Sequence, residues 1–260
     1  MGLVSKTHTL LWFARRPPLW GQAANLALER LRPHRDTLIH RGRAADWCRE
    51  TAVSTRRLLG ALGVEPTLPV HEVAGAAEWR AAEERVATCP KPMGGGGHLD
   101  LLYACAESVG AMRVLETGVA YGWSSYALLL SLANRPGSHL VSTDMPYVQQ
   151  ELDEWVGCAV PDRLRSHWSL LRQADRQAMP KALKQLGQLD MCHYDSDKSY
   201  SGRLWAYPIL WEALRPGGLL ISDDVQDNEA FRHFVEQVGD GVWGVTEASG
   251  KYVAAVRKPG

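Results

Sequence analysis

The sequence has no run of about eighteen apolar residues, the length that a membrane-spanning helix needs, so no such helix is expected. Its five cysteines (Cys48, Cys89, Cys105, Cys158 and Cys192) are scattered, odd in number and never in a C-x-x-C pair. That spacing argues against both a zinc site and a disulfide framework, and it fits reduced thiols in a cytoplasm. Net charge is missing too. The 29 Lys and Arg balance 29 Asp and Glu, which removes the electrostatic footprint of a nucleic-acid binder. Lys6 stands where a myristoylation signal requires Ser or Thr, and the apolar stretch Leu10–Phe13 is too short for a signal peptide. Neither a leader nor a lipid anchor is therefore expected, and no internal repeat is present.

What is there is an ordinary globular composition, in a chain of 260 residues that can hold one large α/β domain and an extension. Residues 1 to about 65 stand apart. Lys6, Arg15, Arg16, Arg30, Arg32, Arg35, Arg41, Arg43, Arg49, Arg56 and Arg57 outnumber Glu29, Asp36, Asp46, Glu50 and Glu65 by six. Trp12, Phe13, Leu19 and Trp20 lie among them around Pro17-Pro18, and helical periodicity follows over Ala23–Leu31 and Asp46–Leu62. Two readings are open: a helical extension packed on the main domain or on a second subunit with its arginines solvated, or a peripheral segment that touches anionic lipid or substrate. Residues 66–98 read as a connector with one helix, Ala76–Ala87. It ends in four glycines, Gly94–Gly97, which are either a flexible linker or a loop that lets a ligand approach the backbone. The boundary between extension and main domain is placed at residues 93 and 94.

From residue 99 helices and strands alternate. Strands are expected at Arg113–Thr117, His139–Met145, Arg163–Leu171, Leu189–Asp195 and Leu219–Val225. Helices are expected at Leu99–Gly110, Ser124–Ala133, Val148–Val156, Ala178–Leu186, Tyr200–Leu214 and Asn228–Val238. Two last strand candidates, Gly241–Thr246 and Lys251–Val256, flank a Ser249-Gly250 turn and read as a hairpin. The pattern predicts an α/β fold: a Rossmann-like, mostly parallel seven-stranded sheet with helices on both faces, an antiparallel C-terminal hairpin and a helical N-terminal extension.

The stretch Arg113-Val-Leu-Glu-Thr-Gly-Val-Ala-Tyr-Gly-Trp-Ser-Ser125 organises this alternation. A buried strand ends in Glu116, and the turn Gly118–Gly122, with Ala120 at its centre, leads into a helix where Ser124 and Ser125 offer capping hydroxyls. Glycine in such a turn lets a ligand reach the backbone, and a nucleotide-like cofactor belongs in the crevice beyond it. Further acids stand at the carboxyl ends of strands: Asp144, Asp195 and the pair Asp223-Asp224. In an open parallel sheet those ends face one crevice, where gathered carboxylates repel unless something positive joins them.

Asp144, 26 residues beyond Gly118, can accept hydrogen bonds from both hydroxyls of a ribose. An NAD-dependent oxidoreductase would share these features. However, the turn lacks the tight Gly-x-Gly that brings a pyrophosphate onto the backbone, so a cofactor with adenosine and no phosphate fits better. Asp195, Asp223 and Asp224 look like oxygen ligands for Mg²⁺ or another divalent cation. Lys198, three residues after Asp195, would lose proton affinity beside a dication and could take a proton from an acceptor hydroxyl. Its alternative is a surface pair with Asp197. His193 shares a strand face with Asp195 and reads as a packing or supporting residue.

At these residues the chain resembles the class I S-adenosylmethionine-dependent methyltransferases. Val114–Ser125 resembles that family's first motif and Leu140–Met145 its second. Leu189–Tyr200 together with Leu214–Val225 resembles its small-molecule O-methyltransferase branch, which includes macrocin-type sugar methyltransferases and, more distantly, catechol O-methyltransferase. The resemblance spans residues 94 to 258 and implies S-adenosyl-L-methionine as cofactor. It places Glu116, Gly118 and Ser124 at the methionine end, with Ala120, Gly122, Ser125 and Asp195 nearby, Asp144 at the ribose and Asp175 near the adenine. It also implies a metal at Asp195, Asp223 and Asp224, and Lys198 as the base. Two departures stand out: macrocin-type relatives usually carry histidine where this chain has Lys198, and Ala174 replaces a common glycine. The implied reaction is methyl transfer to a hydroxyl of a small molecule, for which a saccharide or glycolipid is the candidate. A homo-oligomer is expected from the ten tryptophans. A non-catalytic adaptor that keeps the fold is the remaining alternative.

Overall fold

The computed structural model describes residues 3–29, 36–147 and 152–260. In chain order the helices and strands are α1 (Leu3–Ala14), α2 (Trp20–Glu29), α3 (Leu38–Thr51), α4 (Thr55–Ala61), α5 (Val70–Ala74), α6 (Ala76–Ala87), α7 (Leu99–Ser108), β1 (Arg113–Thr117), α8 (Trp123–Leu132), β2 (His139–Thr143), β3 (Trp168–Leu171), α9 (Asp175–Leu186), β4 (Leu189–Tyr194), α10 (Tyr200–Ala213), β5 (Leu214–Ser222), α11 (Ala230–Val238), β6 (Val242–Ala248) and β7 (Lys251–Arg257). The strands form one sheet in the order β3-β2-β1-β4-β5-β7-β6. β1 to β5 run parallel, whereas β7 is antiparallel to both β5 and β6. This is the Rossmann-like mixed sheet that the alternation predicted.

Side-chain alternation explains the two layers around it. Along β1, Val114 turns to one face and Leu115 to the other, and both are fully buried. The Val114 face packs with Leu140 and Ile221 against Leu101, Leu102, Tyr126 and Leu128. Leu58 of α4 and Leu62 just after it join the same core, so the N-terminal extension and the sheet share apolar packing. The Leu115 face packs with Val141, Cys192 and Leu220 against Met179, Tyr207, Phe231 and Phe234.

Several boundaries differ from the sequence reading. β3 starts only at Trp168, because Asp162–His167 coils into a 3-10 helix behind Pro161. The helix expected over Val148–Val156 falls partly on residues 148–151, which lie outside the described residues, and Asp153–Trp155 forms a 3-10 turn. The periodic stretch Asp46–Leu62 is broken at 52–54. There the Val53 N–H donates to Val245 O at 2.8 Å, and the Ser54 hydroxyl caps the next helix by accepting from Arg57 N. β5 begins at Leu214, ahead of its glycines, with a register irregularity against β4 between Leu189 and Met191. The final hairpin turns on Ser249 and Gly250, both at positive φ (53° and 76°), as two-residue hairpin loops require.

Candidate functional site at the carboxyl rim of the sheet

Backbone pairing continues one residue beyond four of the five parallel strands, β1, β2, β4 and β5. Gly118 N donates to Thr143 O, Asp144 N to Leu171 O, Asp195 N to Thr117 O and Asp223 N to Tyr194 O, all at 2.8–3.0 Å. The ladder therefore sets a glycine and three aspartates in a row on one edge. The turn after β1 is tightly held. Gly118 has φ +82°, and a Cβ there would lie 2.4 Å from the carbonyl oxygen of Asp195. Ala120 also has positive φ, at 47°. Gly122 (φ +86°) is the N-cap of α8, and its missing Cβ leaves room for Gly157. Ser124 and Ser125 do not cap this helix, contrary to expectation: both are buried, and no side-chain cap is made. The Ser125 hydroxyl turns back to Glu116 instead.

Glu116 lies fully buried at the centre of the rim. Its Oε2 accepts from Ser125 and, at 2.7 Å, from Ser142, whose own oxygen accepts from Trp168 Nε1 at 2.8 Å. Its Oε1 faces His193 Nδ1 at 3.5 Å, an ion-pair contact rather than a hydrogen bond. The pairing register explains this meeting, since Glu116 stands directly opposite His193 across β1 and β4. The other ring nitrogen, Nε2, lies 3.3 Å from Asp223 Oδ1. Burial by itself would discharge His193, but the Asp223 and Glu116 carboxylates outweigh it and push its pKa up to about 10. The His193 ring thus lies between the acid at the end of β1 and the acid at the end of β5, which favour its charged form.

Asp144 is held by Arg172, which also pairs with Asp153. Burial outweighs the guanidinium and raises the Asp144 pKa to about 6. Asp175, the first residue of α9, is raised to about 6 by burial as well, although it accepts from the Ser196 hydroxyl. Thr143 Oγ1 reaches its other oxygen at 3.5 Å. A cleft joins Asp144, Met145, Asp175, Tyr194, Ser196 and Trp205, and its outer wall is Gln22 and Asn25 of α2. Its lining combines the carboxylates of Asp144, Asp175 and Asp197 with the side chains of Met145, Tyr194 and Trp205.

The remaining acids gather around lysine. Lys198 Nζ lies 3.0 Å from Asp195 Oδ1 and bonds Asp224 Oδ2, and Lys251 Nζ lies 3.5 Å from Asp224 Oδ1. Asp197 is not the partner of Lys198; its Oδ1 accepts from Ser199 N at 3.0 Å. Burial would lower the Lys198 pKa, but Asp195 and Asp224 drive it up instead. Asp195 is raised to about 6, by burial and by the charge of Asp223. The three proposed metal ligands do not converge as these side chains stand. Asp223 faces His193, Asp195 and Asp224 hold an ammonium, and among the described residues no group of three or more His, Cys, Asp or Glu is placed to share an ion.

Five residues escaped the sequence reading. Arg203, almost fully buried, donates to Asp223 O and Asp224 O at 3.0 and 2.9 Å, and so fixes the left-handed Asp224 (φ +52°). Nothing in a mid-helix arginine announces this. Arg172 carried a signal, an arginine directly after a strand and level with Asp144. Gly97 was visible as one of four glycines, but not as the residue on which Asp223 closes. Gln22 and Asn25 gave no signal. Among the described residues, no helix is long and apolar enough to cross a membrane.

Residues 115–225, from β1 to just past β5, match the model of a methyltransferase domain family. The fold is shared with solved structures. An O-methyltransferase from Bacillus cereus in complex with SAH is 17% identical, with 70% of this chain and 91% of that one covered and a TM-score of 0.56. An O-methyltransferase described as putative, from Klebsiella pneumoniae, is 17% identical over 82% and 99%, also with a TM-score of 0.56. The O-methyltransferase TomG from Streptomyces achromogenes, described as involved in tomaymycin synthesis and solved with SAM, is 18% identical over 75% and 92%, with a TM-score of 0.51. No curated protein sequence matches the chain.

Proposed function

We propose that this protein is an S-adenosylmethionine-dependent O-methyltransferase acting on a hydroxyl of a small molecule. The observation that carries the reading is the cleft lined by Asp144, Asp175 and Ser196 on the rim that also bears Gly118 and Glu116, with a lysine–carboxylate cluster further along it. The match of residues 115–225 to a methyltransferase domain supports it.

The residues present fit such a cofactor. The Asp144 carboxylate would accept from the ribose hydroxyls. Asp175 and Met145 would border the adenine, and Gly118, packed without a Cβ against the Asp195 carbonyl, would keep the turn at the methionine end close to the rim. Bound there, S-adenosylmethionine supplies an electrophilic methyl group on a sulfonium. The chain itself has to align an acceptor oxygen and take its proton. The Lys198 ammonium would hydrogen-bond that oxygen. Asp195, its pKa raised to about 6, would receive the proton; Lys198 takes the part of base only if it gives up its carboxylates.

Metal assistance is a finer reading. Mg²⁺ fits Asp195, Asp223 and Asp224 only if Lys198 leaves two of them and Asp223 turns from His193, so no step is derived through it. A saccharide acceptor is likewise finer, supported by the resemblance of the β4 and β5 segments to the sugar-methylating branch.

The test is titration calorimetry with S-adenosylhomocysteine, with NAD as control, followed by methyl transfer to a panel of polyhydroxylated acceptors with and without EDTA. Tight binding of the first ligand alone is the expected result. Binding of NAD alone would overturn the reading.

A further inference from the structure

Helix α2 sits the wrong way round for a surface helix. Gln22 and Asn25, three residues apart and so on one face, are half-buried in the wall of the nucleoside cleft. Trp20, Leu26 and Leu28 are exposed. A helix held only by burial of apolar surface would turn these leucines inward and its amides out. The helix also packs close to α9: a Cβ on Gly21 would sit 3.5 Å from Gln177 Nε2. Two amides are thus delivered to a cavity whose other side is Asp144 and Met145, beside a Trp205 ring that carries the Arg176 guanidinium 4.7 Å from its centre.

A carboxamide carries donor and acceptor side by side. Adenine presents the complement, an amino donor beside ring-nitrogen acceptors, and Asn and Gln are the side chains that pair with it through two hydrogen bonds. Asp175 can accept from the amino group but cannot donate to a ring nitrogen. The carboxylates of this cleft therefore leave half of the base's edge unread, and the amides of α2 supply the missing donors.

We infer that Gln22 and Asn25 read the adenine base of the cofactor, so that a helix outside the matched domain sets the selectivity of the site for adenine. The inference rests on the cofactor reading above.

The full-length chain and its Q22A/N25A variant are titrated with S-adenosylhomocysteine and with its inosine counterpart, in which an oxygen acceptor replaces the amino donor and the neighbouring N1 acceptor becomes an N–H donor. The unaltered chain should prefer the adenine ligand, and the double variant should bind that ligand about tenfold more weakly, with much smaller change for the inosine ligand. Equal melting temperatures without ligand establish that the variant is folded. Hydrogen exchange supplies a second readout: backbone amides 20–29 of the unaltered chain should be protected by S-adenosylhomocysteine. If the variant binds both ligands as the unaltered chain does, or loses equally for both, the inference is overturned and the cofactor reading stands. If the unaltered chain does not bind S-adenosylhomocysteine, the cofactor reading itself fails.

Discussion

Gly97 closes on Asp223 so tightly that a Cβ there would lie 1.9 Å from Asp223 Oδ2. The last glycine of the Gly94–Gly97 run is thus packed against the rim, beside the Asp223 carboxylate that faces His193, while Gly94 and Gly95 have open space around them.

Gly97→Ala should therefore displace the Asp223 carboxylate. Overpacking of this kind costs about 1–3 kcal/mol, read as a lower urea midpoint with unchanged m-value. Turnover should fall more than cofactor affinity, because Asp144 and the Gly118 turn lie elsewhere on the rim. A variant as stable and active as the parent would remove Gly97 from the site.

His193 is fully buried between two carboxylates. His193→Leu leaves Glu116 and Asp223 without their cation, and breaking a buried ionic group this way costs roughly 3–5 kcal/mol. Chemical denaturation measures it. A change under about 1 kcal/mol would mean that the imidazole is neutral and merely fills space.

Cofactor affinity should depend on pH through Asp144. Its pKa in the free protein is raised to about 6, and a carboxylate must be ionised to accept from both ribose hydroxyls. The ligand binds the ionised form, so it lowers that pKa, and binding releases protons near pH 6. Affinity should fall as the pH drops below about 6, and Asp144→Asn should flatten the profile while weakening binding at pH 8. Calorimetry in buffers of different ionisation enthalpy counts the protons. Uptake instead of release would reverse the assignment.

Lys198→Met removes the ammonium between Asp195 and Asp224. Loss of a group that holds the acceptor oxygen or its proton lowers kcat by about 10²–10⁴. The Kd for S-adenosylhomocysteine should stay within about threefold, since Lys198 does not line the nucleoside cleft. Equal loss in both quantities would assign Lys198 to cofactor binding.

Much of the molecule is written locally. Alternating apolar runs and helical stretches identify β1, β2 and β4, and with them the acids at their ends, because strand period and strand termini are properties of neighbouring residues. Apolar patterning likewise marks α6 and the last hairpin. Tertiary structure decided the rest. Pairing register put Glu116 opposite His193 and made a buried cation of a residue that reads as packing. A long-range bond from Val53 to Val245 broke a continuous helical pattern. The raised proton affinity of Lys198 follows from two carboxylates separated by about thirty residues of chain, and charge interaction depends on distance in space, not on distance in sequence.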